Sequence, residues 1–382
     1  MKVKLESFLQ EVSEKTTENN QYQVLTSSKV GLYLQSDYFN KQVASKDNKG
    51  YKIIKKGQFT YRAMSDTGEF FPNMLECTDI GIVSPAYPVF EIVKPVIIPE
   101  YLKYYFKSNG FQQSISSFAQ GSTRTSIKYG KLKTVSMDLP NLEEQKRVIA
   151  ILDTIHNIID SSKQELKMFD DLIKARFVEM FGNITTGNYK YHTKKLGDVA
   201  NVGSSHRVFT TEFVESGIPF YRGTEIGELA SGIKPTEPYY ISEEHYNRLA
   251  NDDTKPQIGD LLMPSICNKG QVWMVDTDEP FYYKDGRVLC ISPDREVFDT
   301  KYLEYFMRAK TLVEYPKIGS GSTFAEFKIF LLKDIDVLIP PRNTQEQFSN
   351  FVRATDKSKV AVQKALGETQ TLFDSLMQEY FG

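Results

Sequence analysis

Glu143-Glu-Gln-Lys-Arg-Val-Ile-Ala-Ile-Leu-Asp-Thr-Ile-His-Asn-Ile-Ile159 opens a segment that runs to Phe181 without a proline or a glycine. Apolar residues recur along it in steps of four and three: Val148, Leu152, Ile155, Ile159, Leu166, Phe169, Ile173 and Met180. Ser162 and Arg176 fill the two remaining places in that frame. Eight apolar residues in ten seam positions predict a helix whose stripe faces another helix, because a 3.5-residue repeat keeps one seam turned to its partner. His156 falls beside the seam, at an exposed or flanking position. Gly182 then stops the helix, as glycine does past a C-terminus. The segment from Thr344 to Phe381 repeats the frame in Phe348, Val352, Val362, Leu366, Phe373, Leu376 and Tyr380, interrupted by Thr355, Lys359 and Thr369. One strong and one weak seam predict that the two helices pair within the chain. A run of about 40 residues makes a rod of roughly 60 Å at 1.5 Å per residue.

The copy extends beyond the helices. Gly121, Ser122 and Thr123 recur as Gly321, Ser322 and Thr323, Leu132-Lys133 as Leu332-Lys333, and Pro140 as Pro340. Glu179, Phe181 and Gly182 recur as Glu379, Phe381 and Gly382. A period near half the chain is far longer than the 20–50 residues of a solenoid unit. It predicts a duplicated, pseudo-twofold protein, suited to a target with two half-sites. The segments between the helices carry short apolar runs punctuated by turns: Lys52–Gly57, Gly81–Pro85, Gln257–Met263 and Gly286–Ile291. These read as strands. The patches Tyr101–Phe106 and Tyr302–Met307 read as matching short helices. The expected architecture is mixed α/β: sheet-cored modules at 1–142 and 183–342, with coiled-coil helices at 143–182 and 343–382.

Composition narrows the class. The chain has 382 residues, 40% hydrophobic and 25% charged, enough for two or three domains. It contains no apolar run of about 18 residues and no long apolar leader, so no membrane span or secretory signal is expected. Cys77, Cys267 and Cys290 are three and widely spaced, which fits neither a disulfide framework nor a metal pair. The expectation is a reduced, cytoplasmic, metal-free protein. Net charge is −2 over the whole chain, but it is uneven. Residues 1–142 hold 18 basic and 13 acidic side chains, a net of +5, whereas residues 183–342 hold 19 and 23, a net of −4. Any nucleic-acid footprint must therefore be local.

Catalytic patterns are missing from the sequence. Gly121 to Lys131 has the wrong spacing for a phosphate loop, and no G-x-G-x-x-G follows a strand. An amino-methyltransferase would show Asn/Asp-Pro-Pro-aromatic, whereas Pro340-Pro341 stands between Ile339 and Arg342. His156, His192, His206 and His245 lack metal-ligand spacing. Glu326-Phe-Lys328 offers half of a nuclease-like set without its supporting carboxylates. Recognition or scaffolding is the better expectation.

The chain resembles the specificity subunit of type I restriction-modification systems over essentially its whole length. The resemblance rests on Gly121-Ser-Thr-Arg-Thr-Ser-Ile127 leading through Leu139-Pro140 to Glu144-Gln-Lys-Arg-Val148, and on Arg176-Phe-Val-Glu-Met-Phe-Gly182. Lys194-Lys-Leu-Gly-Asp-Val-Ala200 and Gly217-Ile-Pro-Phe-Tyr-Arg-Gly-Thr224 add to it. It implies two target recognition domains, each reading one half of a split double-stranded DNA site, on antiparallel helices that act as spacer and dock partners. Those partners would be two modification (methyltransferase) subunits and two restriction (ATP-dependent translocase and nuclease) subunits. S-adenosylmethionine, ATP and magnesium would bind to them, and this chain would be non-catalytic. The two modules differ in sequence, so an asymmetric, gapped target is expected; modules on one DNA face stand about 34–36 Å apart per helical turn.

Phosphate contacts are expected from Ser122, Thr123, Arg124 and Lys128, beside Lys131 and Lys133, and from Ser322 and Thr323. The second loop has Phe324 in place of the arginine and Glu326 after it, which predicts a weaker grip. Base-reading candidates are Lys29, Gln35, Ser36, Tyr61 and Arg62 in the first module. In the second they are His206, Arg207, Arg222, Thr224, Asn268 and Lys269, since Arg pairs with guanine and Asn or Gln with adenine. The alternative from another class is a coiled-coil scaffold that joins two protein-binding modules.

Overall fold

The computed structural model describes residues 2–38, 47–118, 125–252, 254–318 and 325–382. Its helices include α1 (Pro99–Lys107), α2 (Asn109–Ser116), α3 (Leu142–Phe181), α4 (Thr300–Ile318) and α5 (Arg342–Phe381). The chain divides into two compact units, and the division cuts both long helices. Unit 1 holds residues 1–164 and 362–382; unit 2 holds residues 165–361. Each unit therefore contains one module, half of α3 and half of α5.

The modules repeat one topology although their sequences have drifted apart. In unit 1 a four-stranded antiparallel sheet runs in the order β1 (Leu9–Val12), β5 (Val89–Ile92), β2 (Phe59–Thr60), β4 (Asn73–Met74), with β3 (Met64–Ser65) outside it. In unit 2 the corresponding sheet runs β7 (Ala200–Gly203), β10 (Val288–Pro293), β8 (Leu261–Pro264), β9 (Trp273–Met274). In both, the strand that opens the module pairs antiparallel with the strand just before the long helix. Lys2–Lys4 lies on Ser136–Asp138, and Thr193–Lys195 on Asp336–Leu338. The proline after each of these strands, Pro140 or Pro340, ends the extended run before the helix begins.

A buried glutamine fixes each module to its helix. Gln145, fully buried, accepts from the Ile98 N–H (2.8 Å) and donates to the carbonyls of Val96 (3.0 Å) and Pro140 (2.9 Å). Gln345, also fully buried, accepts from the Asp299 N–H and donates to the carbonyls of Val297 and Pro340, each at 2.9 Å. One side chain per module thus pairs three backbone groups, which are part-buried around Gln145 and more deeply buried around Gln345.

The seam positions of α3 are buried or half-buried and the faces away from it are largely exposed. Within unit 2, Phe177 meets Phe348 (5.5 Å between rings), Arg176 lies over Phe351 (5.9 Å), and Asp170 binds Lys359 (2.5 Å). Numbers rise along α3 as they fall along α5, so the helices run antiparallel. Within unit 1, Val148 and Leu152 share a core with Phe381, and the His156 ring lies 6.1 Å from Phe373. The polar interruptions in the α5 seam are accommodated one by one. The Thr355 and Thr369 hydroxyls donate back to the carbonyls of Phe351 and Ala365. Lys359 lays its stem along the seam and places its ammonium on Asp170.

The repeated phenylalanines at the helix ends close the modules. Phe381 packs 5.0 Å from Tyr101 in unit 1, and Phe181 packs 5.0 Å from Tyr302 in unit 2. Burying such a ring is worth about 1.5–3 kcal/mol. Gly110 is required here, because a Cβ would fall on the Phe381 carbonyl. Gly182 has a positive φ of 98° and no room for a Cβ against the Asn188 carbonyl. All three cysteines are free thiols, with Cys77 exposed and the other two buried. Among the described residues no helix is long and apolar enough to cross a membrane.

Candidate nucleic-acid interface

The two Gly-Ser-Thr loops fall on 119–124 and 319–324, so Ser122, Thr123, Arg124, Ser322 and Thr323 lie outside the described residues. The segments that leave them are anchored in the same manner. In unit 1, β6 (Thr125–Ser126) pairs with β3, Ile127 N–H donates to the Ala63 carbonyl (2.9 Å), and Thr125 Oγ1 donates to the Ser65 carbonyl (3.0 Å). In unit 2, Phe327 N–H donates to the Ser265 carbonyl (2.7 Å) and Tyr315 donates to the Ala325 carbonyl (2.7 Å). Each loop is thus pinned at its exit to the edge of the module's sheet region.

Beside that edge in unit 1 lies a cleft of about 280 Å³, whose walls include Ser28, Lys29, Arg62, Ser65, Thr67 and Phe71. Asn73, buried behind the cleft, has its Nδ2 within hydrogen-bond distance of Ser27 Oγ (3.0 Å) and of the carbonyls of Ser28 (2.8 Å) and Phe71 (3.0 Å), three residues of the lining. Lys29 reaches Glu69 (3.1 Å) and lies 5.2 Å from the Phe71 ring centroid. Arg62 stands 3.8 Å from Asp66. All four charged groups are exposed, and such pairs bind weakly in water. Lys128, exposed, precedes the short helix Tyr129–Leu132 at the loop exit. Gln35 and Ser36 begin the short helix Gln35–Tyr38 and do not line this cleft. Tyr61 corrects the sequence reading. It is fully buried, its hydroxyl donates to the Ile127 carbonyl (3.0 Å), and burial pushes its phenol far up, so it is a core anchor for the loop exit.

Unit 2 presents a different surface. His206 Nε2 lies 2.7 Å from Asp252, while its backbone N–H donates to the Tyr282 hydroxyl (2.9 Å). The His206 hydrogen bond, with two more from Thr254, holds the Asp252 carboxyl down at about 2. Arg207 lies 3.6 Å from Asp285 and 5.6 Å from the Phe209 ring centroid. Arg222 is engaged locally, with its side chain still 42% exposed. It grips the buried Glu225 through two nitrogens, at 2.6 and 3.2 Å, and stacks 4.5 Å over Tyr239. Burial resists ionisation of Glu225, but the bonds from Arg222 and from two backbone N–H groups outweigh it and leave the carboxyl below its ordinary range. Arg222 therefore clamps the start of the helix Gly223–Ala230; Thr224 beside it is exposed. Asn268 and Lys269 sit exposed on the turn between β8 and β9. Lys269 lines a separate cavity of about 1150 Å³ with Lys174, Phe177, Tyr305 and Arg308, which shares no lining residue with the His206 group.

Sequence reading missed the charged turn Lys284-Asp285-Gly286-Arg287. Lys284 and Asp285 are 3.4 Å apart, and Arg287 binds Glu326, which also holds Lys328 (2.8 Å). The Asp-Gly pair between the apolar runs Phe281–Tyr283 and Val288–Ile291 was the available signal, since it marks a turn between strands. Glu326 spends its carboxylate on those two cations. Among the described residues no group of three or more His, Cys, Asp or Glu could hold a metal ion.

Residues 6–168 match the family model for the type I restriction modification DNA specificity domain. The chain is 22% identical over 306 residues to the type I restriction enzyme MjaIX specificity subunit of Methanocaldococcus jannaschii, covering 75% of this chain and 69% of that one. It is 22% identical over 364 residues to the MjaVIII specificity subunit of the same organism, covering 87% and 82%. A shorter stretch of 114 residues, 28% of this chain and 24% of the other, is 31% identical to the StySPI specificity subunit of Salmonella potsdam. Among solved structures, the type I restriction-modification S subunit from M. genitalium superposes with a TM-score of 0.57 at 14% identity, covering 100% of this chain and 96% of that one. A chain from a study of complex assembly and conformational transition of the type I R-M system gives 0.58 at 17% identity, with 100% and 97% covered.

Proposed function

We propose that this chain, which belongs to the type I restriction-modification specificity subunits and so to a DNA-recognition family, reads a bipartite, asymmetric, gapped site and positions partner subunits on it. The observation that carries the reading is a repeated frame with an unrepeated surface. Both units share one sheet order, one glutamine clasp and one loop anchor. The side chains set around those anchors differ: Lys29, Arg62 and Lys128 in unit 1, against His206, Arg207 and Arg287 in unit 2. Equal frames with unequal contacts suit two unlike half-sites. The spacer between them would follow from the helices, each about 60 Å long at 1.5 Å per residue.

In this reading the chain is non-catalytic and works in the cytoplasm. Exposed apolar residues on α3, namely Ile158, Met168 and Leu172, offer contact area to two modification subunits. The restriction subunits join through that assembly, and methyl donor, ATP and magnesium bind to the partners. The test is selection from random duplexes by the complex of this chain with a modification subunit. Two unlike conserved blocks at a fixed separation are expected, with affinity falling steeply as salt rises. A single continuous block, a palindrome or no enrichment would refute the reading in favour of a protein scaffold.

A further inference from the structure

The two modules hold their cations in physically different ways. In unit 1 the carboxylates opposite the cleft cations are open to water: Glu69 is 41% and Asp66 58% exposed, with Lys29 and Arg62 at 67% and 54%. Either cation can leave such a partner for a phosphate oxygen, because the released carboxylate is simply hydrated. In unit 2 three of the carboxylates that face cations are largely withdrawn, although Asp252, opposite His206, is 45% exposed. Glu225, Glu326 and Asp285 are 5%, 18% and 25% exposed, and they hold Arg222, Arg287 with Lys328, and Arg207 with Lys284. Removing Arg222 would leave the buried Glu225 unpaired, which is strongly unfavourable, and Glu326 and Asp285, partly withdrawn from water, each hold two cations that compete with a phosphate for them. The background charge points the same way, with residues 1–142 at +5 and residues 183–342 at −4.

We propose that the two half-sites are gripped unequally: Lys29, Arg62 and Lys128 of the first module carry most of the phosphate contact, while the second module contributes recognition with little release of counterions. This rests on the DNA-reading function proposed above. Each phosphate contact accounts for about 0.9 in the slope of log affinity against log salt. Replacing the three residues by glutamine should therefore flatten that slope by about 2.7, equivalent to about 40-fold less loss of affinity between 50 and 200 mM salt. The selected base sequence should stay the same, because phosphate contacts position the module without reading bases.

The test compares three complexes of the full chain with a modification subunit on a selected duplex: unchanged, Lys29→Gln/Arg62→Gln/Lys128→Gln, and Arg207→Gln/Lys284→Gln/Lys328→Gln. Thermal melting of each establishes that it is folded. Flattening confined to the first variant supports the inference. Equal flattening in both variants, or flattening in the second alone, overturns it and leaves DNA reading intact. Absence of selective binding by the unchanged complex overturns the functional reading and this inference with it.

Discussion

Replacing Gln145 by leucine removes one side chain and strands three backbone groups. The Ile98 N–H and the carbonyls of Val96 and Pro140 lose their partner at a part-buried site. An unsatisfied buried group costs about 1–3 kcal/mol, and because water can reach part of this site the three together cost about 1–3 kcal/mol. For a unit of this size 1 kcal/mol moves the melting temperature by about 2–4 °C, which gives a fall of roughly 2–12 °C. The assay is helical circular dichroism against temperature, with amide exchange at Ile98 as a local readout. Gln345→Leu should lower the transition of unit 2 by at least as much, because its three partners correspond and are more deeply buried. Glu143→Gln, which breaks an exposed pair with Lys146, is the control and should cost under about 0.5 kcal/mol. A Gln145→Leu protein that melts within about 1 °C of the parent, with unchanged exchange at Ile98, would refute the clasp.

Three other outcomes follow from the packing and charge. Gly110→Ala should destabilise unit 1 by about 1–3 kcal/mol through overpacking against the Phe381 carbonyl, whereas Gly367→Ala, in open space on α5, should stabilise by about 0.5–1 kcal/mol; urea titration measures both. Asp252 is held near 2 against an ordinary 3.8, so its stabilising contribution is present above about pH 4 and lost as pH falls toward 2; Asp252→Asn should remove that part of the acid slope of the melting temperature, and an unchanged slope would contradict it. Deleting seven residues from both α3 and α5 shortens each by about 10.5 Å, or about three base pairs of 3.4 Å. The spacer should then shorten by that amount, and changed half-sites would contradict the ruler role.

The helices were legible because their signal is geometric. A seam repeated every three and four residues must face a partner wherever the chain places it, and Val148 through Ile173 do so. The matching strand order was not legible, because sheets tolerate wide exchange of residues on a conserved pairing pattern. Reading the chain as four consecutive segments also concealed how the units form. The end of α5 returns to the first module, and only the recurrence of Phe181 as Phe381 hinted at it. Gln145, inside the Glu144–Val148 motif, and Gln345 recur at the common period, but their burial was not legible, since a polar residue before an apolar seam carries no burial signal. Tyr61 shows the opposite error. Tyrosine suits base contact, but tertiary packing spent this one on a carbonyl. The Arg222-x-x-Glu225 spacing was visible as the pattern of a local pair at a helix start.

The central claim, that this chain directs a modification complex to a split DNA sequence, is tested most directly by sequencing the methylated bases of a host that expresses it with a modification subunit. The account predicts a new asymmetric motif of two unlike blocks around an unread gap, present only when this chain is expressed. A soluble, associated complex that leaves the host methylation pattern unchanged would contradict it.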